Sequence, residues 1–155
     1  MIEGHVHVPR RIEGFKNEYR FLSNFPAVRV TLDGDTYPSV EHAYQAAKTT
    51  DRDKRRGIKM AASAAIAKRL GKKLPVRADW EKVKDQTMFD LLVQKFAQDE
   101  FRDQLLATGD AYIEETNHWG DVYWGVCNGV GQNKLGLMLM EIREALVDLE
   151  RTVGS

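Results

Sequence analysis

The pattern that most constrains this chain is the return of apolar residues at helical spacing in several separate stretches. Between Asn133 and about Glu150 an apolar residue recurs every three or four positions, in a stripe formed by Leu135, Met138, Leu139, Ile142, Leu146 and Leu149. This spacing places the side chains along one side of an α-helix, and that side must be covered by other parts of the protein. The C-terminal stretch therefore predicts a long helix packed on a core.

Shorter segments repeat the same pattern and predict further helices at 39–48, 63–70 and 79–98, and a short helix from about Phe101 that Gly109 ends. Ser39 is a natural N-cap for the first of them, and Gly71 stands where a helix commonly stops. The charge-dense stretch 51–60 is expected on the surface, partly as helix. Most of the chain is therefore predicted to be helical.

A small amount of β-structure is also expected. Val28, Val30 and Leu32 alternate before an Asp33-Gly34 pair, which is typical of a hairpin turn, and Pro38 ends the returning strand. Short strands are predicted near 12–15 and 111–115, and the stretch 117–133 is interpreted as loop. The fold class is mainly α (α+β with a small antiparallel β element), in a single domain over residues 1–155.

Composition narrows the class of protein. The chain has 155 residues and no formal net charge, which disfavours binding to a polymer by charge alone. Cys127 is the single cysteine, so no internal disulfide can form. No signal-peptide pattern or membrane-spanning run is found, and we expect a cytoplasmic protein that does not bind membranes.

The first predicted helix carries Glu41, Gln45 and Lys48 at positions i, i+4 and i+7, on one side. Two turns separate the ends of this line, about 10 to 11 Å along the axis, which suits a sugar-sized group lying across the helix. The plain alternative is a solvated helix side, because charged residues are mostly exposed.

A second cluster lies in the aromatic loop, which comprises His118, Trp119, Gly120, Asp121, Tyr123, Trp124, Gly125, Cys127 and Asn128. Aromatic faces in a loop can stack on a base, and a nearby carboxylate can bind a sugar hydroxyl or activate water. The alternative is that the tryptophans fill the edge of the core and that Asp121 caps a turn. The GVGQNKLG stretch that follows either holds a phosphate or forms a plain turn capped by Asn133.

Other chemistries have weaker support in the sequence. His42, His118, Asp121 and Cys127 are metal-ligand types, but no paired ligand spacing is present, and no metal site is predicted. Cys127 with His118 is an alternative nucleophile pair, although a small buried thiol is the commoner case. No nucleotide-cofactor fingerprint is found, and we expect no cofactor.

Seven motifs taken in order resemble the NADAR or YbiA-like family. They are FLSNF at 21–25, YPSVEHAYQAAK at 37–48, Trp80 followed by EKVK, KF at 95–96, LLATGD at 105–110, WGD at 119–121 and GQNKLGLMLMEIRE at 131–144. The resemblance runs from about Phe21 to Leu146. It implies a small, mostly helical N-glycosidase that cleaves the bond between ribose and an amine-bearing base.

The resemblance also implies the substrates and the site. The substrate would be a small nucleotide of the riboflavin pathway, a ribosylamino-pyrimidine, or ADP-ribosylated guanine, with ADP-ribosylated nucleic acid as a further partner. The predicted catalytic residues are Glu41, Lys48 and Asp121. The predicted substrate-binding residues are Trp80, Trp119, Gly120, Trp124 and Asn133, of which Trp124 lies in a stretch where family members vary in length.

Two routes to bond cleavage remain open from the sequence. In one, Glu41 or Asp121 activates water and stabilises the cationic sugar. In the other, which we favour, Lys48 attacks C1′ and forms a Schiff base, which requires a lowered lysine pKa. A non-catalytic module that binds ADP-ribose or a nucleotide is the alternative to an enzyme.

Overall fold

The computed structural model describes residues 8–154, so both ends of the expected 1–155 domain lie outside the described residues. Six α-helices are found among the described residues: α1 (Val40–Ala47), α2 (Arg52–Lys59), α3 (Ala64–Lys72), α4 (Trp80–Phe96), α5 (Asp99–Leu106) and α6 (Lys134–Val153). The strands are short: β1 (Arg11–Glu13), β2 (Val30–Leu32), β3 (Asp35–Tyr37), β4 (Tyr112–Glu114), β5 (Thr116–Asn117) and β6 (Val126–Cys127). A 3-10 helix spans Asn17–Leu22. The predicted class, mainly α with little β, is confirmed.

The contacts within the chain define two compact units. The first unit consists of the described residues up to 22 together with those from 100 onward, and the second unit consists of residues 23–99. The first contains β1, β4, β5, β6 and α6, and the second contains the hairpin and the helices α1 to α4. The expectation of one continuous domain stays a prediction.

The predicted hairpin is present at the start of the second unit. β2 pairs antiparallel with β3, and the two residues between them, Asp33 and Gly34, have φ angles of 48° and 86°. Positive φ at both central positions is what a tight turn between twisted strands requires, and an Asp-Gly pair accepts it readily. The chain then enters α1 at Ser39, whose hydroxyl accepts a hydrogen bond from His42 N at 3.0 Å, as an N-cap should.

Helix α1 is buried along its whole length, because α2, α3 and α4 all pack on it. Four of its eight residues are alanine or valine, and these small side chains let the neighbouring helices approach. The alternative of a solvated helix side is therefore wrong for Glu41 and Gln45, which are covered from several directions.

Helix α3 differs from its prediction at the C-terminal end. Gly71 does not stop the helix but lies inside it, buried, and the helix continues to Lys72. A glycine can be selected for lack of volume as well as for its conformational freedom, and the sequence alone does not separate these two reasons.

The first unit holds two β-pairs that the sequence did not predict as pairs. β1 pairs with β4, and β5 pairs with β6, and both pairs are parallel. The stretch expected to be loop thus contains β6 and the end of β5. The expected antiparallel element is confirmed only for the hairpin of the second unit. The other pairings join distant segments, which period-two patterns of two or three residues cannot reveal.

Helix α6 buries only part of its predicted stripe. Leu135, Leu139 and Ile142 lie in the core, where the helix packs on β4. Leu149 is 59% exposed, near the end of the helix. No described helix is long and apolar enough to cross a membrane.

Candidate functional site

The centre of the candidate site in the second unit is the line of polar residues on α1. Glu41 is only 7% exposed, and its backbone N–H donates to Asn24 O at 3.0 Å. One turn later, Gln45 Nε2 donates to Glu41 Oε1 at 2.8 Å. Lys48, the residue after the last helical turn, is half-buried. Of the predicted catalytic residues, Glu41 therefore lies in a buried helix, and Lys48 directly follows that helix and is only partly exposed.

Aromatic rings connect Lys48 with Trp80. The Lys48 Nζ lies 5.9 Å from the centroid of the Tyr44 ring, and this ring meets the Trp80 indole at a centroid distance of 5.2 Å and an angle of 54°. Trp80 is 6% exposed, so most of its surface contacts protein. No functional role was assigned to Tyr44 from the sequence, and no local pattern predicted this contact. A substrate-binding role of Trp80 stays a prediction.

The surroundings of Lys48 lower the pKa of its amine. Burial is the largest cause, because it penalises the charged ammonium. The negative charge of Glu41 opposes this shift, whereas the positive charges of Lys72 and Lys68 on α3 add to it. The net direction is downward, which increases the neutral, nucleophilic fraction of the amine at a given pH.

Helix α3 also approaches the side chain of Gln45. A Cβ atom on residue 71 would overlap the Gln45 side-chain amide, so only glycine leaves enough room there. Gly71 was predicted as a helix stop, and its actual role is to provide space for a polar side chain of α1. No local sequence signal distinguishes these two roles.

In the first unit, Asn117 organises the aromatic loop. Its Nδ2 donates to Asp121 O at 2.8 Å and to Glu115 Oε2 at 3.0 Å. Its Oδ1 accepts from Asp121 N at 3.0 Å and from Trp119 N at 3.3 Å. The sequence gave no role to this buried residue, although an Asn at the edge of a Gly-rich loop is a common turn former.

Asp121 itself takes part in the turn. Its Oδ1 accepts hydrogen bonds from Trp124 N at 2.9 Å and from Tyr123 N at 3.1 Å. This is the turn-capping role that the sequence offered as the alternative. A catalytic role for Asp121 stays a prediction, with one oxygen already occupied by two backbone groups.

The loop aromatics differ in exposure. Trp119 is 54% exposed and meets His118 edge to face at 5.2 Å, so a large part of its indole face is accessible to a ligand. Trp124 is half-buried and packs edge to face on Tyr123 at 5.0 Å. Gly120, between the two, is exposed. Substrate binding by these three residues stays a prediction, which the exposure of Trp119 favours most.

Asn133 joins the start of α6 to β4. Its Nδ2 donates to Ile113 O at 2.9 Å and to Tyr112 Oη at 3.2 Å, and its Oδ1 accepts from Glu115 N at 2.9 Å. Asn133 is the N-cap residue of α6, as predicted, but its side chain makes no cap hydrogen bond, because the amide reaches the strand instead of the first helical turn. A substrate-binding role of Asn133 stays a prediction.

The backbone N–H groups at the start of α6 were expected either to bind a phosphate or to form a plain turn. The N–H groups of residues 132–135 donate to the carbonyl groups of Val122, Gly125, Tyr123 and Trp124, respectively. A phosphate at a helix start is normally bound by N–H groups of this kind. Here they hold the aromatic loop, which favours the alternative of a plain turn.

The described residues offer no group of three His, Cys, Asp or Glu side chains that could hold a metal ion. His42 is buried, with Nδ1 2.6 Å from Ser39 Oγ and Nε2 3.1 Å from Ala61 O. Both of its ring nitrogens therefore have protein partners. Cys127 is half-buried in β6, and its role is untested.

Comparison with known proteins assigns this arrangement to a family. The NADAR domain model matches residues 12–147. The chain is 42% identical over 134 residues to N-glycosidase YbiA of Escherichia coli, covering 84% of this chain and 83% of that protein. A solved NMR structure of E. coli YbiA superposes with a TM-score of 0.81 at 38% identity, over 94% of this chain and 90% of the other.

A further relative has a name from metabolism. The chain is 38% identical over 130 residues to a riboflavin biosynthesis protein of Vibrio vulnificus, and the match covers 81% of this chain but 35% of that longer protein. The relatives named for an activity place this chain among the hydrolases that cleave N-glycosidic bonds. The chain belongs to the NADAR domain family.

Proposed function

We propose that this N-glycosidase removes an amine-bearing base from a phosphorylated ribosyl substrate, with Lys48 as the nucleophile and Glu41 as the proton carrier. The observation that carries the proposal is the half-buried amine of Lys48, whose pKa is lowered, directly after the buried helix that carries Glu41. A surface lysine would be almost fully protonated near neutral pH and could not attack a sugar carbon.

The reaction can be written with every proton accounted for. The neutral Lys48 Nζ attacks C1′ and passes a proton to the Glu41 carboxylate, while the bond from C1′ to the base nitrogen breaks and that nitrogen takes a proton from water. Glu41 then gives its proton to the ring oxygen O4′ as the C1′–O4′ bond opens, which leaves a protonated Schiff base on Lys48. The hydroxide left by that water adds to the imine carbon, and the ribose leaves as its aldehyde while the neutral amine is restored.

The charge of the sequence segment that begins at Lys48 supports a substrate that carries phosphate. Residues 48–77, which we call the basic segment, contain eleven Lys or Arg against two Asp, in a chain whose net charge is zero. This segment supplies α2 and α3, and several of its side chains are exposed. Phosphate groups are attracted to such a concentration of positive charge.

Two substrate classes fit this chemistry. One is a phosphorylated ribosylamino-pyrimidine, a choice supported by the relative named for riboflavin biosynthesis. The other is ADP-ribosylated guanine, free or within nucleic acid, whose diphosphate also suits the basic segment. Offering both to the protein and measuring the released base by mass spectrometry distinguishes them.

Trapping by borohydride tests the mechanism. During turnover, borohydride should reduce the Schiff base and leave a ribosyl adduct on Lys48, which peptide mass spectrometry locates. Lys48→Ala should release base at least about a hundredfold more slowly and form no adduct, since covalent catalysis is lost. Lys16→Ala, a change on an exposed lysine outside the basic segment, serves as the matched control.

Two outcomes would contradict the lysine route. If Lys48→Ala keeps near-full activity and no adduct forms, activation of water by a carboxylate remains. If no base is released from either substrate while a nucleotide still binds, the non-catalytic module is favoured, with the exposed Trp119 as its base contact.

A further inference from the structure

Gln45 has a place in this site that neither the family resemblance nor the packing of α1 explains. Its side chain is 4% exposed, and its Oε1 has no hydrogen-bond partner among the described residues. A buried polar atom without a partner destabilises a fold, and in a native protein it requires a reason. An apolar residue of the same length would fill this position without that penalty.

The hydrogen bond that Gln45 does make is directed at the proposed proton carrier. Its Nε2 lies 2.8 Å from Glu41 Oε1, with both groups buried in the same helix. An amide donates to a carboxylate without adding charge. A lysine or arginine at position 45 would also hold Glu41, but it would bring another positive charge close to Lys48 and change the balance that sets its pKa.

The orientation of this amide is fixed from the opposite side by α3. A Cβ on residue 71 would overlap Oε1, Cδ and Cβ of Gln45, so the backbone of α3 lies directly against the side chain. Gly71 has no positive φ, which leaves the need for space as the reason for glycine here. The amide is therefore held between the carboxylate of Glu41 and the backbone of α3.

We propose that Gln45 is a positioning residue that fixes the carboxyl group of Glu41, and that Gly71 provides the space that keeps Gln45 in place. This inference rests on the proposed function, in which Glu41 carries a proton from the amine of Lys48 to the ring oxygen of the sugar. Because the hydrogen bond from Gln45 holds Glu41 Oε1, the carboxyl group of Glu41 cannot rotate freely. The direction in which it accepts and donates a proton is therefore fixed. Small losses of alignment in such a group strongly reduce the rate of the chemical step.

Replacing the amide without changing its length tests the proposal. Gln45→Met keeps the shape and removes the donor, and we expect kcat to fall roughly tenfold to a hundredfold while KM changes less than about twofold. Gln86→Met is a matched control, because Gln86 Nε2 also donates to a carboxylate four residues away, Asp90, at 2.7 Å, but on an exposed surface. That control should leave both constants unchanged.

A double-mutant cycle separates positioning from a structural role. In a Glu41→Gln background, Gln45→Met should add no further loss of single-turnover base release, because the group that it positions is already altered. A merely structural role would reduce the rate by the same factor in both backgrounds. Gly71→Ala displaces the same amide and should reduce kcat in the same direction as Gln45→Met.

These measurements distinguish failure of the positioning role from failure of the proposed function. Wild-type protein that releases no base from either substrate class overturns the proposed function and the positioning role with it. Wild-type release combined with an unchanged kcat for Gln45→Met, or with equal losses in both backgrounds, overturns the positioning role alone. A fall in kcat that disappears in the Glu41→Gln background supports it.

Discussion

At the residue scale, the chemistry depends on one amine whose surroundings differ from those of a surface lysine. Burial and two neighbouring lysines disfavour the ammonium form of Lys48, and Glu41 partly offsets them. The sequence alone did not indicate that Lys68 and Lys72 lower the pKa of Lys48. They lie on a different helix, 20 and 24 positions further along the chain.

The pH dependence of activity follows from this arrangement. The reactive form is the neutral amine, so kcat/KM should be low below the lowered pKa of Lys48 and should rise as the pH passes through it. Replacing both Lys68 and Lys72 by alanine removes two charges that disfavour the ammonium form, so the pKa should rise. The rising limb of the pH profile should then move to higher pH, and activity near neutral pH should decrease.

A pH–rate profile of this double variant against Lys73→Ala checks the expectation. Lys73 is exposed at the end of the same helix and is not among the charges that shift the pKa of Lys48. If the rising limb of kcat/KM lies at the same pH in the double variant and only the maximal kcat/KM changes, the two lysines act in substrate binding instead.

At the element scale, α6 is tied to the turn before β4 by a buried cation. Arg143 donates from Nη1 to Thr108 Oγ1 and from Nη2 to Ala111 O, each at 2.8 Å. Thr108 also donates to Leu105 O at 2.6 Å, which connects the same turn to α5. The helical pattern predicted α6 itself. It did not indicate that Arg143 would be buried or that its guanidinium would contact the turn before β4.

Removing that guanidinium should destabilise the protein. Arg143→Met leaves two buried oxygen acceptors with fewer partners, and we expect the free energy of unfolding to fall by about 2 to 4 kcal/mol. Urea denaturation followed by far-UV circular dichroism measures the change. Arg151→Met, on the exposed end of the same helix, should change stability by less than about 0.5 kcal/mol. Equal stability of the two variants would show that the Arg143 contacts contribute nothing.

At the scale of the whole molecule, zero net charge conceals a strong asymmetry along the chain. The basic segment has an excess of nine positive charges, and the rest of the chain therefore has an excess of nine negative charges. The overall charge led to the expectation that polymer binding by charge is disfavoured. The local excess restores an electrostatic attraction for phosphate-bearing ligands.

Salt should consequently weaken the substrate interaction. For a small phosphorylated substrate, KM is expected to increase roughly severalfold between about 50 and 300 mM NaCl, because exposed charges are screened over about 10 Å at 0.1 M salt. The dephosphorylated form of the same substrate is the control and should show little change. A nucleic acid substrate would give a much steeper dependence, since each phosphate contact releases counterions. A KM that does not respond to salt would exclude a role of the basic segment in binding.

Much of the secondary structure could be predicted because it depends on local residues. Ser39 and Ser63 cap their helices, and the Asp33-Gly34 turn closes the hairpin, as the residue types require. The errors have a common origin in contacts between distant segments. Gly71 lies within α3 because Gln45 needs its space, and the side chain of Asn133, the N-cap residue of α6, reaches β4 instead of the first helical turn.

By itself, the sequence determined the helices, the hairpin and the family, because caps, turns, periodicity and ordered motifs depend on residues that are close in the chain. It also placed Glu41, Gln45 and Lys48 on one side of a helix. Only the tertiary structure decided that α2, α3 and α4 bury this helix, that two lysines of α3 act on Lys48, and that the buried amide of Gln45 donates to Glu41. Burial and electrostatic interactions arise from groups brought together across the chain, and local patterns of residues cannot specify them.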